Sequence, residues 1–144
     1  MADFKVVRTL SGSAPQAERV LAGDAMEVGD LLIWSLDAND VAKAANSATR
    51  KTLAGICHGK QSEDGDAIAN GDYIMMYPLE PGMIIEGLCK DTTLPYIGEV
   101  VGLDVTSTVQ KFEHAEVVPI GRVFKIVDAG DKIIQVRILG DPVT

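Results

Sequence analysis

The chain is 144 residues long, 47% hydrophobic and 24% charged, a size and composition that fit one globular domain and exclude disorder. Thirteen basic against 21 acidic side chains give a net charge of −8. The excess is even, with seven basic and eleven acidic residues in 1–72 and six and ten in 73–144. Binding to a phosphate backbone needs clustered lysine and arginine, and no such run exists, so nucleic acid is set aside as a partner.

Valine and isoleucine together number 27 and leucine only 11. β-Branched side chains lose rotamer freedom in helices and pack well on pleated sheets, so this balance predicts an all-β chain. In chain order, strands are expected at 4–9, 31–36, 53–58, 73–77, 83–88, 97–103, 109–112, 120–127 and 132–139. The last is the clearest: Ile134, Val136 and Ile138 face one way, Gln135 and Arg137 the other. At most one short helix is expected, at 39–51, where Asn39 or Asp40 could cap an alanine-rich stretch; a loop with one helical turn is the alternative. A further short helical turn is expected at 14–20, with Ser13 as its cap and Pro15 early in it.

Gly-Asp precedes an apolar run three times, at Gly29-Asp30, Gly71-Asp72 and Gly130-Asp131. Glycine supplies positive φ and aspartate bonds to nearby backbone, so each pair is read as a turn that launches a strand. Gly55 and Gly121 sit inside apolar runs, where glycine marks a bulge or a close backbone approach. The two elements pair as Gly55 with Gly71-Asp72 and Gly121 with Gly130-Asp131, which suggests two related hairpins. The predicted architecture is a small β-barrel or sandwich built from Gly-Asp-led hairpins. An extended N-terminal arm over residues 1–22 precedes it, and the β domain covers 23–144.

No catalytic, cofactor-binding or metal-binding residues are assigned. Phosphate-cradling and nucleophile-elbow glycine patterns are absent. Cys57 and Cys89 each lie in an apolar run, without the Cys-x-x-Cys spacing of a zinc site, and are read as buried hydrophobes in a reducing compartment. A catalytic couple of either cysteine with His114 is disfavoured, and so is one of Cys57 with His58, the latter because adjacent strand residues face opposite ways. The acidic run Glu63-Asp64-Gly65-Asp66 resembles part of a calcium loop, but position twelve falls on Ile74, so a solvated hairpin tip is preferred. Trp34, Tyr73, Tyr77 and Tyr96 could form a sugar platform, though single strand aromatics are more often core or interface anchors. The first eight residues scatter charge with no apolar core, unlike a secretion signal. No apolar stretch approaches the ~20 residues that span a bilayer. The expectation is a chain made in the host cytoplasm, with no membrane partner and no cofactor.

One resemblance covers residues 23–139. It rests on Gly29-Asp30-Leu31-Leu32 opening a strand, then Leu53-Ala54-Gly55-Ile56 and Gly71-Asp72-Tyr73-Ile74. Its close is Pro119-Ile120-Gly121-Arg122-Val123 followed by Gly130-Asp131-Lys132-Ile133. In this order the series resembles the head-decoration (capsid cement) proteins of tailed bacteriophages. The 77–95 segment, with Pro78, Pro81 and Pro95, departs from that pattern.

The resemblance implies a non-enzymatic virion protein on the capsid exterior that binds the major capsid protein as a homotrimer and stabilises the shell. It also implies an N-terminal arm that grips the shell, here Phe4, Lys5, Val6, Val7 and Arg8. Phe4 and Val6 would share one face of that arm, Lys5 and Val7 the other. Met75, Met76, Met83, Ile84 and Ile85 are the apolar residues expected to be exposed and then covered by trimer formation. The alternatives are a trimeric β-barrel enzyme of nucleotide metabolism, similar to dUTP hydrolases, and a carbohydrate- or receptor-binding module.

Overall fold

A computed structural model of the chain describes residues 4–35, 39–44, 53–60, 67–106, 109–114 and 119–140. Among the described residues there are eleven strands and no helix. The strands are β1 (Lys5–Arg8), β2 (Glu18–Ala22), β3 (Leu31–Trp34), β4 (Asp40–Lys43), β5 (Leu53–Lys60) and β6 (Tyr73–Pro78). They continue with β7 (Ile84–Leu88), β8 (Val100–Thr106), β9 (Val109–His114), β10 (Gly121–Asp128) and β11 (Ile133–Ile138). Strands β2 to β6 close into a barrel in the order β2-β4-β3-β5-β6. The others form an antiparallel sheet in the order β1-β7-β11-β10-β8-β9. The all-β barrel expectation is met.

Side-chain alternation divides the apolar residues between two cores. Leu32, Val41, Ala54, Cys57, Ile74 and Met76 fill the barrel. Leu31, Leu53 and Ile56, on the outside of the same barrel strands, pack against Ile85, Val101, Phe112, Val136 and Ile138 of the sheet. A period of two thus lets β3 and β5 serve both cores at once. Between β3 and β5 the register shifts, Leu32 opposing Gly55 and Ile33 opposing Leu53. Ala54 is the extra residue of this bulge.

Four strands start immediately after the same turn. Residues 27–30, 69–72, 80–83 and 96–99 each close with the N–H of the fourth donating to the carbonyl of the first, at 3.0–3.1 Å. The third residue is Gly29, Gly71, Gly82 or Gly98, at φ of 90, 96, 94 and 93°, as a type II turn requires. In each, the fourth side chain reaches back to the first N–H: Asp30 Oδ2 (2.8 Å), Asp72 Oδ2 (2.9 Å), Met83 Sδ (3.2 Å) and Glu99 Oε1 (2.8 Å). The turn-and-launch reading of Gly29-Asp30 and Gly71-Asp72 stands, and extends to two sites with other fourth residues. Asp72, its carboxylate bonded to the Ala69 N–H and facing Lys60 at 3.5 Å, is held below the usual carboxylate range. Gly130-Asp131 departs from this pattern. There Lys132 takes the left-handed conformation (φ 58°), and the Asp131 N–H donates to Asp128 Oδ1.

Neither expected helical turn occurs in the described residues: Glu18–Ala22 and Asp40–Lys43 are strands, and 14–17 carries no regular structure. Asp40–Lys43 pairs with β3 antiparallel and β2 parallel, because Val41 is needed inside the barrel and Ala44 beneath the sheet. The rest of the alanine-rich stretch, 45–51, lies outside the described residues. Glu18–Ala22 pairs with β6, so the division at residue 22 does not hold: β2 is one wall of the barrel. The acidic tip at 63–66 also lies outside the described residues.

Gly55 and Gly121 have no positive φ; close packing is what requires them. A β-carbon on Gly55 would overlap Tyr77 O and the Met76 side chain, and one on Gly121 would overlap Val136 Cγ1 and Arg137 O. Gly121→Val should therefore lower stability by about 2–3 kcal/mol, whereas truncation of its exposed neighbour, Arg122→Ala, should leave the denaturation midpoint nearly unchanged.

Gln110 on β9 joins the two lobes. Its Oε1 accepts the Leu31 N–H (2.7 Å), and its Nε2 donates to Leu31 O and Ala44 O (both 2.9 Å). The residue is buried, so Gln110→Leu strands the Leu31 N–H and the Ala44 carbonyl without water. Urea titration should show a loss of about 2–4 kcal/mol, the cost of two unmet buried groups.

Candidate interaction surface

The sheet turns one face to the barrel and the other outward. On the outward face, Arg8 pairs with Ile84, Ile84 with Arg137, and Arg137 with Arg122, so one row crosses four strands. Paired residues project to the same side, which places three arginines together. Next to this row the β10 register shifts between Val123 and Lys125, making Phe124 the extra residue of a bulge. The guanidinium carbons of Arg8 and Arg137 lie 5.3 and 5.1 Å from its ring centroid, within cation–π range. Ile84 shares the outer row yet is 1% exposed, so the side chains over it exclude water.

Arg122 is held sideways, Nη1 donating to Gly98 O at 2.9 Å. That carbonyl belongs to the 96–99 turn, which presents Tyr96 and Ile97 at 78% and 67% exposure. Between turn and sheet lies a hollow of about 350 Å3, lined by Ile97, Gly98, Arg122, Phe124, Arg137 and Leu139 among others. Among the described residues none of these three arginines forms an ion pair with a carboxylate.

The β8–β9 side carries the opposite chemistry. Lys90 lies 3.3 Å from Asp104 and 3.7 Å from Glu113, and its pKa is raised chiefly by the Asp104 hydrogen bond. His114 Nε2 meets Glu99 Oε2 at 3.0 Å, and the backbone N–H of His114 donates to Asp91 Oδ2 at 2.7 Å, beside a hollow of about 370 Å3. Cys89 donates to Asp91 Oδ2 at 3.5 Å, and burial pushes its thiol up to about 11. A thiol held so far from its thiolate form is a poor nucleophile. Cys57 is likewise pushed up to about 11 by burial inside the barrel, and His58 faces outward against Tyr77, ring centroids 4.6 Å apart. Both cysteines are free and buried. No ring contact joins Trp34, Tyr73, Tyr77 and Tyr96 to one another among the described residues; Tyr73 instead lies under Arg19, 3.6 Å from its centroid.

The expected arm is part of the fold. Phe4 is 4% exposed and meets Phe112 edge-on, centroids 5.0 Å apart at 86°. A β-carbon on Gly87 would lie 2.6 Å from the Phe4 ring, so that glycine makes the ring's seat. Lys5 pairs with Glu86 at 3.0 Å, and β1 forms the sheet edge beside β7. Phe4 and Val6 do share one face, with Lys5 and Val7 on the other, but the apolar face packs on this chain's own core. Lys5, Val7 and Arg8 are the exposed side chains of this strand, and Arg8 joins the arginine row. The expected apolar patch is also corrected: Met76, Met83, Ile84 and Ile85 are buried, and Met75 is half-buried. Sequence reasoning missed Phe124, Arg122 and Ile97 as neighbours. The polar faces of β10 and β11 contained the signal, but their register did not follow from sequence.

No protein-family model matches this chain, and none of the curated proteins compared with it matches in sequence.

Burial of Phe4 has a direct consequence. Phe4→Ala should cost about 3 kcal/mol by opening a cavity against Phe112, and calorimetry should show a lowered Tm, unlike Val7→Ala at the exposed position.

Proposed function

We propose that this chain is a structural protein that binds other proteins, and specifically one that decorates the outside of a phage shell by docking on its major capsid protein as a homotrimer. The observation that carries this reading is the outer face of the sheet, where Ile97 and Phe124 stand beside the arginines on hydrogen-bonded elements, with Tyr96 exposed on the same turn as Ile97. Aromatic residues and arginine are the side chains that dominate protein interfaces. Rigid turns and strands present them with little ordering cost on docking. The order of glycine-led turns that resembles decoration proteins gives the reading its target. A trimer would multiply weak single contacts, since the second and third bind at high effective concentration.

Co-sedimentation with undecorated shells tests it. The intact chain should pellet with shells, and light scattering should give a trimer mass free or on the shell. Tyr96→Ala with Ile97→Ala should weaken shell binding by about tenfold or more while leaving Tm unchanged, since both side chains are exposed. A chain that never pellets with shells, or is monomeric in both settings, removes the proposal.

A further inference from the structure

We infer that the outer face of the six-stranded sheet is a carboxylate-binding cradle, in which Arg8, Arg122 and Arg137 around Phe124 receive the acidic side chains of an extended segment of a partner protein. The inference rests on reading the chain as a protein-binding module, but not on a shell being its target.

Charge placement is the first argument. Lys5, Lys43, Lys60 and Lys90 each face a carboxylate of this chain, at 3.0–3.6 Å. Arg8, Arg122 and Arg137 face none among the described residues, although acidic residues outnumber basic ones by 21 to 13. Arg122 and Arg137 are moreover direct cross-strand partners, an arrangement of like charges that costs stability in the free chain. A bound carboxylate would relieve that repulsion.

Geometry is the second. A guanidinium stacked on an aromatic face keeps its N–H edges free for a planar, bidentate acceptor. Arg8 and Arg137 are both held by Phe124, and Arg122 is fixed by Gly98 O. The neighbouring hollow of about 350 Å3 is partly apolar, with Ile97, Val123 and Leu139 in its wall. It suits an apolar side chain adjacent to the carboxylates. A segment alternating acidic and apolar residues matches both halves of the site. A nucleic acid fits less well, because a net charge of −8 repels a polyanion and three arginines neutralise few phosphates.

The probe is a fluorescein-labelled peptide of about eight residues alternating glutamate and leucine, followed by anisotropy against the full chain. A lysine–leucine peptide and a thymidylate oligonucleotide serve as comparisons. The glutamate–leucine peptide should bind, and should weaken by about tenfold or more when salt rises from about 50 to about 500 mM. The double variant Arg8→Gln, Arg137→Gln should weaken it by a similar factor. Should that variant fail to fold, amide shift mapping on the intact chain decides: perturbations must concentrate at Arg8, Gly98, Arg122, Phe124 and Arg137. Absence of peptide binding, equal binding by a folded variant, shifts elsewhere, or tighter binding of the oligonucleotide overturns the inference. Self-association that vanishes in the double variant, with no peptide binding, overturns it in favour of a second copy as occupant. Peptide binding without shell binding leaves the cradle standing and removes the capsid target. Shell binding undiminished in a folded double variant that has lost the peptide leaves the cradle standing and assigns shell docking to another surface of the chain.

Discussion

One buried carboxamide ties the two halves of this fold together. Gln110 reaches from β9 to the end of β3 and fills the hydrogen-bonding needs of Leu31 and Ala44, where barrel strands meet the sheet. An apolar side chain there could pack but could not satisfy amide groups shut away from water, and a buried amide left unpaired is costly. The barrel can therefore lean its outer face on the sheet without leaving β3 and β4 ends unmet. Leu31, Leu53 and Ile56 then become core residues on the outside of a closed barrel.

Repetition of one turn sets where the strands begin. In four places a glycine at positive φ is followed by a side chain that bonds back to the turn's first N–H, and the strand starts at the next residue. Asp30 shows what the device costs when it is buried. Loss of solvent raises its pKa, opposed by the Glu27 N–H and by Lys43 at 3.6 Å. Its second oxygen has no hydrogen bond among the described residues, only that facing ammonium. Because burial is the largest cause, the folded carboxyl holds its proton more tightly than the unfolded one. Its contribution to stability accordingly falls as pH rises from the ordinary carboxyl range through the raised pKa.

Closely spaced backbones fix the other tight places. Gly55, Gly87 and Gly121 each leave room for a specific neighbour: Met76, the Phe4 ring and Val136. The seat at Gly87 draws the N-terminal strand into the sheet formed mainly by the C-terminal half, so the first and last strands share one layer. That placement also brings Arg8, from the N-terminal strand, beside Phe124 and Arg137 of the β10–β11 hairpin at the other end of the sequence. The arginine–aromatic surface is a product of this crossover.

Local features are legible in the residues alone. β-Branched composition, alternation in segments such as 132–139, and Gly-Asp at 29–30 and 71–72 specify strands and turns, because each depends on a residue's own φ, ψ and side chain. Gly55 and Gly121 are legible as tight positions because glycine inside an apolar run weakens a strand, but Met76 and Tyr77, Val136 and Arg137, which crowd them, come from other strands. Features that depend on partners distant in sequence emerge with the packed fold. Val41 reads equally well as part of an alanine-rich helix until a barrel needs a parallel strand beside β2. Phe4 and Val6 read as an exposed gripping face until Phe112 and Gly87 offer them a core. The arginine row likewise exists only through strand register, and a shift of one residue in pairing moves every side chain to the opposite face.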